Sequence, residues 1–434
     1  MSQKQEISDI WYKLDNSAVI YPINATMTTQ SLFRLTCELN DYVDEEFLFR
    51  ALTNILPRFP SFSVQLRSGL FRHYFDHNPY SPVVKQDDGV LFQKINFARN
   101  NYYLFRTTYY KKRISIDFFH ALCDGTGALE FMKTLIYEYL NVEGHQIKND
   151  ASIKEKGQES LPEETEDSFL THTKEYNLFG GIIGEMVGTN AYQIHDKTFR
   201  RLGYGLIEGF LKLSDLKEIA RKYDVTITMF IAAVAMLAIA KSYKKKSPSK
   251  YPLTAMIPVD LRRFFDSITL KNFTSLARCV IDPNLPDNLS AYCKTIKEQL
   301  NEKTKKEVLI EKLSLSSFMT SKWITKYMPL FIKKFVMRLG KMLSLNTKQS
   351  MIISNLGQVK MPSGAKPFIN RFCFNSNVSI KNPINVGVIS YSDNVVVSFT
   401  RRIVSTAIEK EFFTILKDEG LFPVVISNFR ELNR

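Results

Sequence analysis

The chain has little cysteine and no long apolar run, and each shortage closes off a class of protein. Its 434 residues include five cysteines, Cys37, Cys123, Cys279, Cys293 and Cys373. They are too scattered for a C-x-x-C metal site or for the paired framework of a small secreted domain. That usage fits a reducing cytosol, and a cytoplasmic location is expected. The longest apolar run, Met229 to Ala240, lies between Thr228 and Lys241. A bilayer span needs about 20 apolar residues, so this run predicts a buried helix instead. Met1 to Ile10 is polar, so no secretory leader is expected there. No internal repeat is evident. Neither a zinc finger nor an RNA-binding aromatic motif occurs, which argues against nucleic acid as a partner.

A chain of this length suits two domains rather than one core. The first is expected over 1–185 and the second over 200–434, in a mixed α/β (α+β) fold. Asp44 to Ile55 predicts a helix with Leu48, Ala51, Leu52 and Ile55 on one face and Pro57 beyond its end. Residues 146–167 are polar and charged, and predict an exposed connector; Gly180-Gly181 predicts a second flexible point. A new unit begins near Arg200, with a strand over Tyr204 to Leu213 and a helix capped by Ser214. Ile384 to Ser390 and Val395 to Thr400 flank Ser392-Asp393-Asn394, a hairpin pattern. Thr406 and Glu409 have the spacing of a capping box, and Gly420 that of a helix stop.

The stretch that points to chemistry is His120-Ala121-Leu122-Cys123-Asp124-Gly125. Before it, Ile114, Ile116, Phe118 and His120 share one face of a strand by their period of two; Tyr102 to Tyr110 predicts the preceding strand. After it, Ala128, Phe131, Met132, Leu135 and Tyr139 recur at helical spacing. Thr126 is placed to cap that helix, and Gly125 and Gly127 allow a sharp turn. An imidazole on such a corner is suited to act as a base toward a hydroxyl or amine. The alternatives are a core histidine bonded to a neighbour, with Asp124 capping a helix, or a Cys123 nucleophile beside the histidine. A metal site lacks a third ligand at metal spacing nearby.

Farther along come Val259-Asp260-Leu261-Arg262, Asn272-Phe273 and Ser354-Asn355-Leu356-Gly357, with Thr226-Ile227-Thr228 leading into an alanine-rich helix and Phe59-Pro60 after an early one. In this order the motifs resemble the chloramphenicol acetyltransferase-like superfamily. Its members include peptide-synthetase condensation domains and plant and microbial alcohol acyltransferases. The microbial alcohol acetyltransferases look nearest. The aspartate-phenylalanine-glycine-tryptophan-glycine block of the plant branch is missing, and Phe119 stands where condensation domains usually carry a second histidine.

The resemblance implies two chloramphenicol acetyltransferase-like subdomains, each a mixed sheet packed with helices, around a central cleft or tunnel. It implies that His120 is the general base and that Asp124 is structural and pairs with an arginine from the second domain, Arg262 being the best candidate. Gly125 permits the corner, and Ser354, Asn355 and Asn272 are expected to line the substrate or the oxyanion site. The implied reaction moves an acyl group from acyl-CoA to a small alcohol or amine without a covalent intermediate. No metal and no permanently bound cofactor are expected. An acyl carrier protein as donor partner, or a non-catalytic homologue that binds a lipid or a partner, are the alternatives. Two halves in one chain suggest a monomer.

The formal net charge of +14 has several readings. Lys241 to Lys246 follows a helix end, where cations complement the dipole. Lysine and arginine also attract the phosphates of coenzyme A or an acidic carrier protein. The amphipathic stretch 323–341 fits either a membrane-surface helix or a helix covering an apolar tunnel.

Overall fold

The computed structural model describes residues 12–25, 30–173, 190–199, 203–244, 251–321, 328–343, 349–379 and 381–428. Gly180-Gly181, Arg200, Lys245-Lys246 and Trp323 to Tyr327 lie outside the described residues.

The first part of the chain carries strands β1 (Tyr12–Lys13), β2 (Leu32–Leu39), β3 (Val64–Ser68), β4 (His73–His77), β5 (Val84–Gln86), β6 (Phe105–Tyr110) and β7 (Arg113–Phe119). The second part carries β8 (Gly205–Lys212), β9 (Leu253–Asp260), β10 (Thr274–Ile281), β11 (Met351–Val359), β12 (Ile369–Ser376), β13 (Ile384–Tyr391), β14 (Asn394–Arg401) and β15 (Val424–Ser427). They form a three-stranded sheet in the order β1-β4-β3, a five-stranded sheet β12-β2-β7-β6-β5, and a seven-stranded sheet β10-β9-β11-β13-β14-β8-β15. Both larger sheets are mixed. β5 and β6 are parallel in one, and β11 is parallel to both β9 and β13 in the other. Two sheet-and-helix units in a mixed α/β fold are therefore what the chain adopts.

A cut near residues 185–200 does not separate the two sheets. β12 pairs antiparallel with β2, from Ile369 opposite Leu39 to Ser376 opposite Phe33. The second part of the chain thus lends an edge strand to the first unit's sheet. Strand periodicity carries no information about this, because β12 reads the same whichever sheet it joins.

Helices Glu45–Ile55 and Gly125–Glu143 pack together in the first unit. The former starts at Asp44, whose carboxylate accepts from Phe47 N, and buries Leu48, Ala51, Leu52 and Ile55 as its spacing requires. In the second unit, helix Ile227–Ile239 is capped by Thr226 and buried from Met229 to Ile239. It is apolar all round because it packs between helices Leu289–Lys303 and Ala407–Asp418 as well as on β9 and β11. No single helix among the described residues is long and apolar enough to cross a membrane.

Three local expectations change. The strand predicted from Tyr102 begins at Phe105. Asn101 and Tyr102 are left-handed (φ 46° and 62°), and the buried Asn100 amide holds the carbonyls of Tyr103 and Phe105. Residues 146–167 are not a bare connector: Ile147, Ile153 and Glu164 are buried. Glu164 takes both Arg58 guanidinium nitrogens at 2.6 and 2.8 Å and Lys154 at 2.5 Å. Composition gives no sign of a charge whose partner is more than 100 residues away. Finally, Thr406 makes no side-chain cap. Glu409 instead faces Arg401 at 3.0 Å in the second core.

Candidate active site

The site begins where β7 runs out. Ile114, Ile116 and Phe118 point into the first core, and His120 follows as the next residue on that face. Its backbone N–H donates to Ser31 O at 2.9 Å, and a turn closes from Leu122 N to Phe119 O at 2.8 Å. Asp124 then starts helix Gly125–Glu143 by accepting from Gly127 N at 3.1 Å. Asp124 is the cap that Thr126 was expected to provide; the Thr126 hydroxyl instead donates to Asp260 Oδ2 at 3.2 Å.

The two glycines serve space rather than backbone freedom, since neither has a positive φ. A Cβ on Gly125 would lie 2.3 Å from the Leu356 side chain. One on Gly127 would lie 2.0 Å from the Leu270 carbonyl oxygen. Both neighbours come from the second unit, so the glycines let it close onto the motif.

Asp124 is buried and fully engaged. Arg262 donates to it through Nη1 at 2.9 Å and Nη2 at 3.3 Å. Phe273 N donates at 2.8 Å and the Thr274 hydroxyl at 3.0 Å. Burial alone would raise its pKa, but Arg262 and the N–H donors hold it below the usual carboxylate value. Arg262 also donates to the carbonyls of Thr269 and Lys271, at 2.8 and 2.6 Å. The loop from Thr269 to Thr274 is thus wound around the Asp124–Arg262 pair. That winding delivers Asn272 to the histidine.

His120 Nδ1 lies 3.0 Å from Asn272 Oδ1. The Tyr21 ring stacks on the imidazole, with centroids 4.5 Å apart and planes within 13°, and Phe33 meets it edge-on at 5.1 Å. Burial pushes the imidazole pKa below its ordinary value, and this outweighs the opposing pull of its own carbonyl, Asp124 and Asn272. A neutral ring whose Nδ1 faces an amide oxygen carries its proton on Nδ1. Nε2 then holds the lone pair a base needs.

The remaining expected residues divide. Asn272 is buried and engaged with the imidazole. Ser354 and Asn355 point to opposite faces of β11. Asn355 donates to the Thr228 hydroxyl at 3.0 Å and accepts from Gly357 N, on the side of helix Ile227–Ile239. Ser354 pairs with Gly387, whose Cα face meets Phe374 of β12; Phe374 in turn touches Phe33 beside His120. Only Ser354 of the two faces the histidine's unit. Cys123 is buried, and burial pushes its thiol well above the ordinary range, which disfavours the thiolate a nucleophile needs. No group of acidic, histidine or cysteine side chains among the described residues could hold a metal ion.

Tyr21 and Phe33 are ring neighbours that no motif announces. Helix Ile20–Asn24, which carries Tyr21, packs against helix Leu330–Leu343. The latter is tied down by Leu330 N to Leu70 O and by Lys333 Nζ to Phe71 O, at 2.8 and 2.7 Å, and it exposes Phe331 and Phe335. A separate polar cavity of about 390 Å³, lined by Lys85, Asp87, Arg99 and Arg106 among others, includes none of the site residues.

Residues 211–419 match the family model of the alcohol acetyltransferases. That span holds Arg262, Asn272, Ser354 and Asn355, but not His120 or Asp124. No curated protein matches the chain. Among solved structures, the trichothecene 15-O-acetyltransferase of Fusarium sporotrichioides is 11% identical over 95% of this chain and 94% of its own, with a TM-score of 0.62. A Fusarium graminearum protein solved with coenzyme A and deoxynivalenol is 10% identical over 94% and 97%, at 0.63. The epimerization domain from the third module of tyrocidine synthetase B is 12% identical over 96% and 99%, at 0.59. At such identities the likeness establishes the fold, and it does so along nearly the whole chain.

Proposed function

We propose that this chain, which shares its fold with solved acetyltransferases, is an acyltransferase that moves an acyl group from acyl-CoA to an alcohol or amine, with His120 as general base. The observation that carries this reading is the imidazole at the end of β7 with Nδ1 3.0 Å from Asn272 Oδ1 and its pKa lowered by burial, an arrangement in which Nε2 is the nitrogen proposed to meet the substrate. A solved acetyltransferase of the same fold, and a second protein of that fold solved with coenzyme A, support the donor.

In the proposed reaction Nε2 takes the proton of the acceptor hydroxyl as its oxygen attacks the thioester carbonyl. The negative charge that forms on the carbonyl oxygen is met by a donor, a role we assign to Ser354. The C–S bond then breaks, the acyl group stays on the acceptor, and the thiolate leaves. The imidazolium returns the proton to that sulfur. No covalent enzyme intermediate is needed, because two substrates bound side by side already remove most of the entropic barrier. The five free, buried thiols fit a reducing compartment, so the cytoplasm is the proposed location, and a monomer is the proposed state.

The test is thiol release from acetyl-CoA against a panel of alcohols and amines, with wild type and His120→Ala. The variant should fold normally and lose roughly 10²–10⁴-fold in transfer. Wild-type rates in His120→Ala would sink the assignment. Transfer only from an acyl group loaded on a carrier protein would change the donor to the condensation type. Binding without transfer from either donor would favour a non-catalytic homologue.

A further inference from the structure

We propose that Asp15 is a positioning residue for His120, acting through Asn272: it fixes the amide of Asn272 so that the amide oxygen, and not the nitrogen, faces Nδ1 of the imidazole. This rests on the reading of His120 as the base. Asp15 sits between β1 and helix Ile20–Asn24, more than 100 residues from the motif, and is fully buried. Its Oδ2 accepts from Asn272 Nδ2 at 3.0 Å and from Asn272 N at 3.3 Å. Its Oδ1 accepts from Ala18 N at 2.7 Å. The opposite end of the same amide, Oδ1, lies 3.0 Å from His120 Nδ1.

The chemistry of the three groups leaves one arrangement. An ionised carboxylate can only accept, so the NH₂ end of Asn272 must face Asp15. The oxygen end must then face the imidazole, which can satisfy it only by carrying its proton on Nδ1. Asp15 thereby selects the ring tautomer whose Nε2 is free to take a proton. A hydrogen bond from the backbone N–H of Asn272 to the same carboxylate fixes the position of the residue as well as its amide. Without Asp15 the amide is free to flip, and a flipped amide would present its NH₂ to Nδ1 and favour the proton on Nε2, against the hydrogen bond of the ring to the His120 carbonyl. That ring could no longer act as a base toward the substrate.

The carboxyl of Asp15 is pushed up to about 7, chiefly by burial and further by Asp167, against the hydrogen bond from Asn272, that from Ala18 and the charge of Lys271. Tyr21 and Cys123, which also feel its charge, are themselves protonated in this range because burial raises both. Lowering the pH through about 7 therefore gives Asp15 an O–H and ends its role as a pure acceptor. This happens before His120, with its lowered pKa, takes up a proton.

The experiment reads the ring directly. Proton–nitrogen correlation spectra of protein labelled with ¹⁵N-histidine, with His120 assigned by comparison with His120→Gln, report the tautomer without any need for turnover. At pH 8 the wild type should show the Nδ1–H form. Asp15→Asn and Asn272→Ala should both shift His120 toward the Nε2–H form. In the acetyl-CoA assay, using the best alcohol of the panel, Asp15→Asn should lower kcat roughly 10- to 100-fold, the scale of a misplaced catalytic group, with little change in the KM for acetyl-CoA. The wild-type inflection near pH 7 should vanish in Asp15→Asn, leaving a single acid limb at lower pH. An unchanged His120 tautomer in folded Asp15→Asn would overturn the proposal, even if Asn272→Ala shifts it. Should Asp15→Asn not fold, the wild type still decides: an Nε2–H ring at pH 8 overturns the proposal, and an Nδ1–H ring that is lost as Asp15 titrates supports it. Because the tautomer is read without turnover, an inactive protein with the expected spectra would count against the transferase reading alone.

Discussion

Two buried carboxylates stand near His120, and their surroundings make them opposites. Asp124 is gripped by the Arg262 guanidinium and two backbone N–H groups, and its pKa is held low. Asp15 is met mainly by neutral N–H donors from Ala18 and Asn272, and its pKa is pushed up to about 7. A charge buried with a cation in bidentate contact becomes a structural rivet. A charge buried among amide donors stays free to titrate near neutrality, which suits a group that orients a base. The first joins the two units, and the second sets the ring between them.

The comparison can be broken most forcefully at the rivet. Arg262→Ala leaves Asp124 buried without its cation, and should cost about 3–5 kcal/mol of stability, read as a lowered denaturation midpoint in urea. An unchanged midpoint would mean that the pair is not what holds the corner. The rivet also has a pH signature. A carboxyl whose folded pKa is depressed gives stability that is present above its unfolded value of about 3.9 and is lost as pH falls through the lower folded value. Replacing Asp124 by Asn should remove that part of the acid sensitivity along with most of the stability gained from the pair.

A smaller effect is expected at the seam beside it. Gly127→Ala places a methyl group 2.0 Å from the Leu270 carbonyl, and backbone cannot yield as a flexible side chain can. The variant should lose about 1–3 kcal/mol, as overpacked sites do, and the second unit should be displaced from the motif. Melting close to that of the wild type would show that the seam gives way easily.

The smallest effect, and the one of opposite sign, belongs to Asp15. Its folded pKa is raised, so the folded state holds a proton that the unfolded state has lost between about pH 4 and 7. Stability from this group falls as pH rises through that window. At pH 8, Asp15→Asn should therefore leave Tm unchanged or raise it, while impairing catalysis. A large loss of Tm at pH 8 would place Asp15 with Asp124 as a structural group.

Much of the fold is legible along the chain. The period of two through Ile114, Ile116 and Phe118 places His120 at the end of a buried face. The spacing of Leu48, Ala51, Leu52 and Ile55 gives a helix whose buried side is the predicted one. The run from Met229 to Ala240 coincides with a helix, Ile227–Ile239, that is buried all round from Met229. These are short-range patterns, and side-chain periodicity fixes them wherever the segment finally packs. Helix caps were read less well. Thr126 and the Thr406–Glu409 pair have suitable spacing, yet Thr126 bonds to Asp260 in the second unit and Glu409 faces Arg401 at the end of β14. Local hydrogen-bonding rules lose when a charged side chain of another element comes within reach.

By itself, the sequence determined the corner that holds His120, Asp124 and the two glycines, because strand and helix periods and the spacing of the motif are local properties. Only the tertiary structure decided what surrounds the ring. It brought Asn272 from 152 residues away to Nδ1 and Asp15 from 257 residues away to Asn272. It also turned Asn355 toward Thr228 and left Ser354 on the opposite face of β11. Hydrogen bonds act over about 3 Å and are indifferent to separation along the chain, so no pattern of neighbours in the sequence records them.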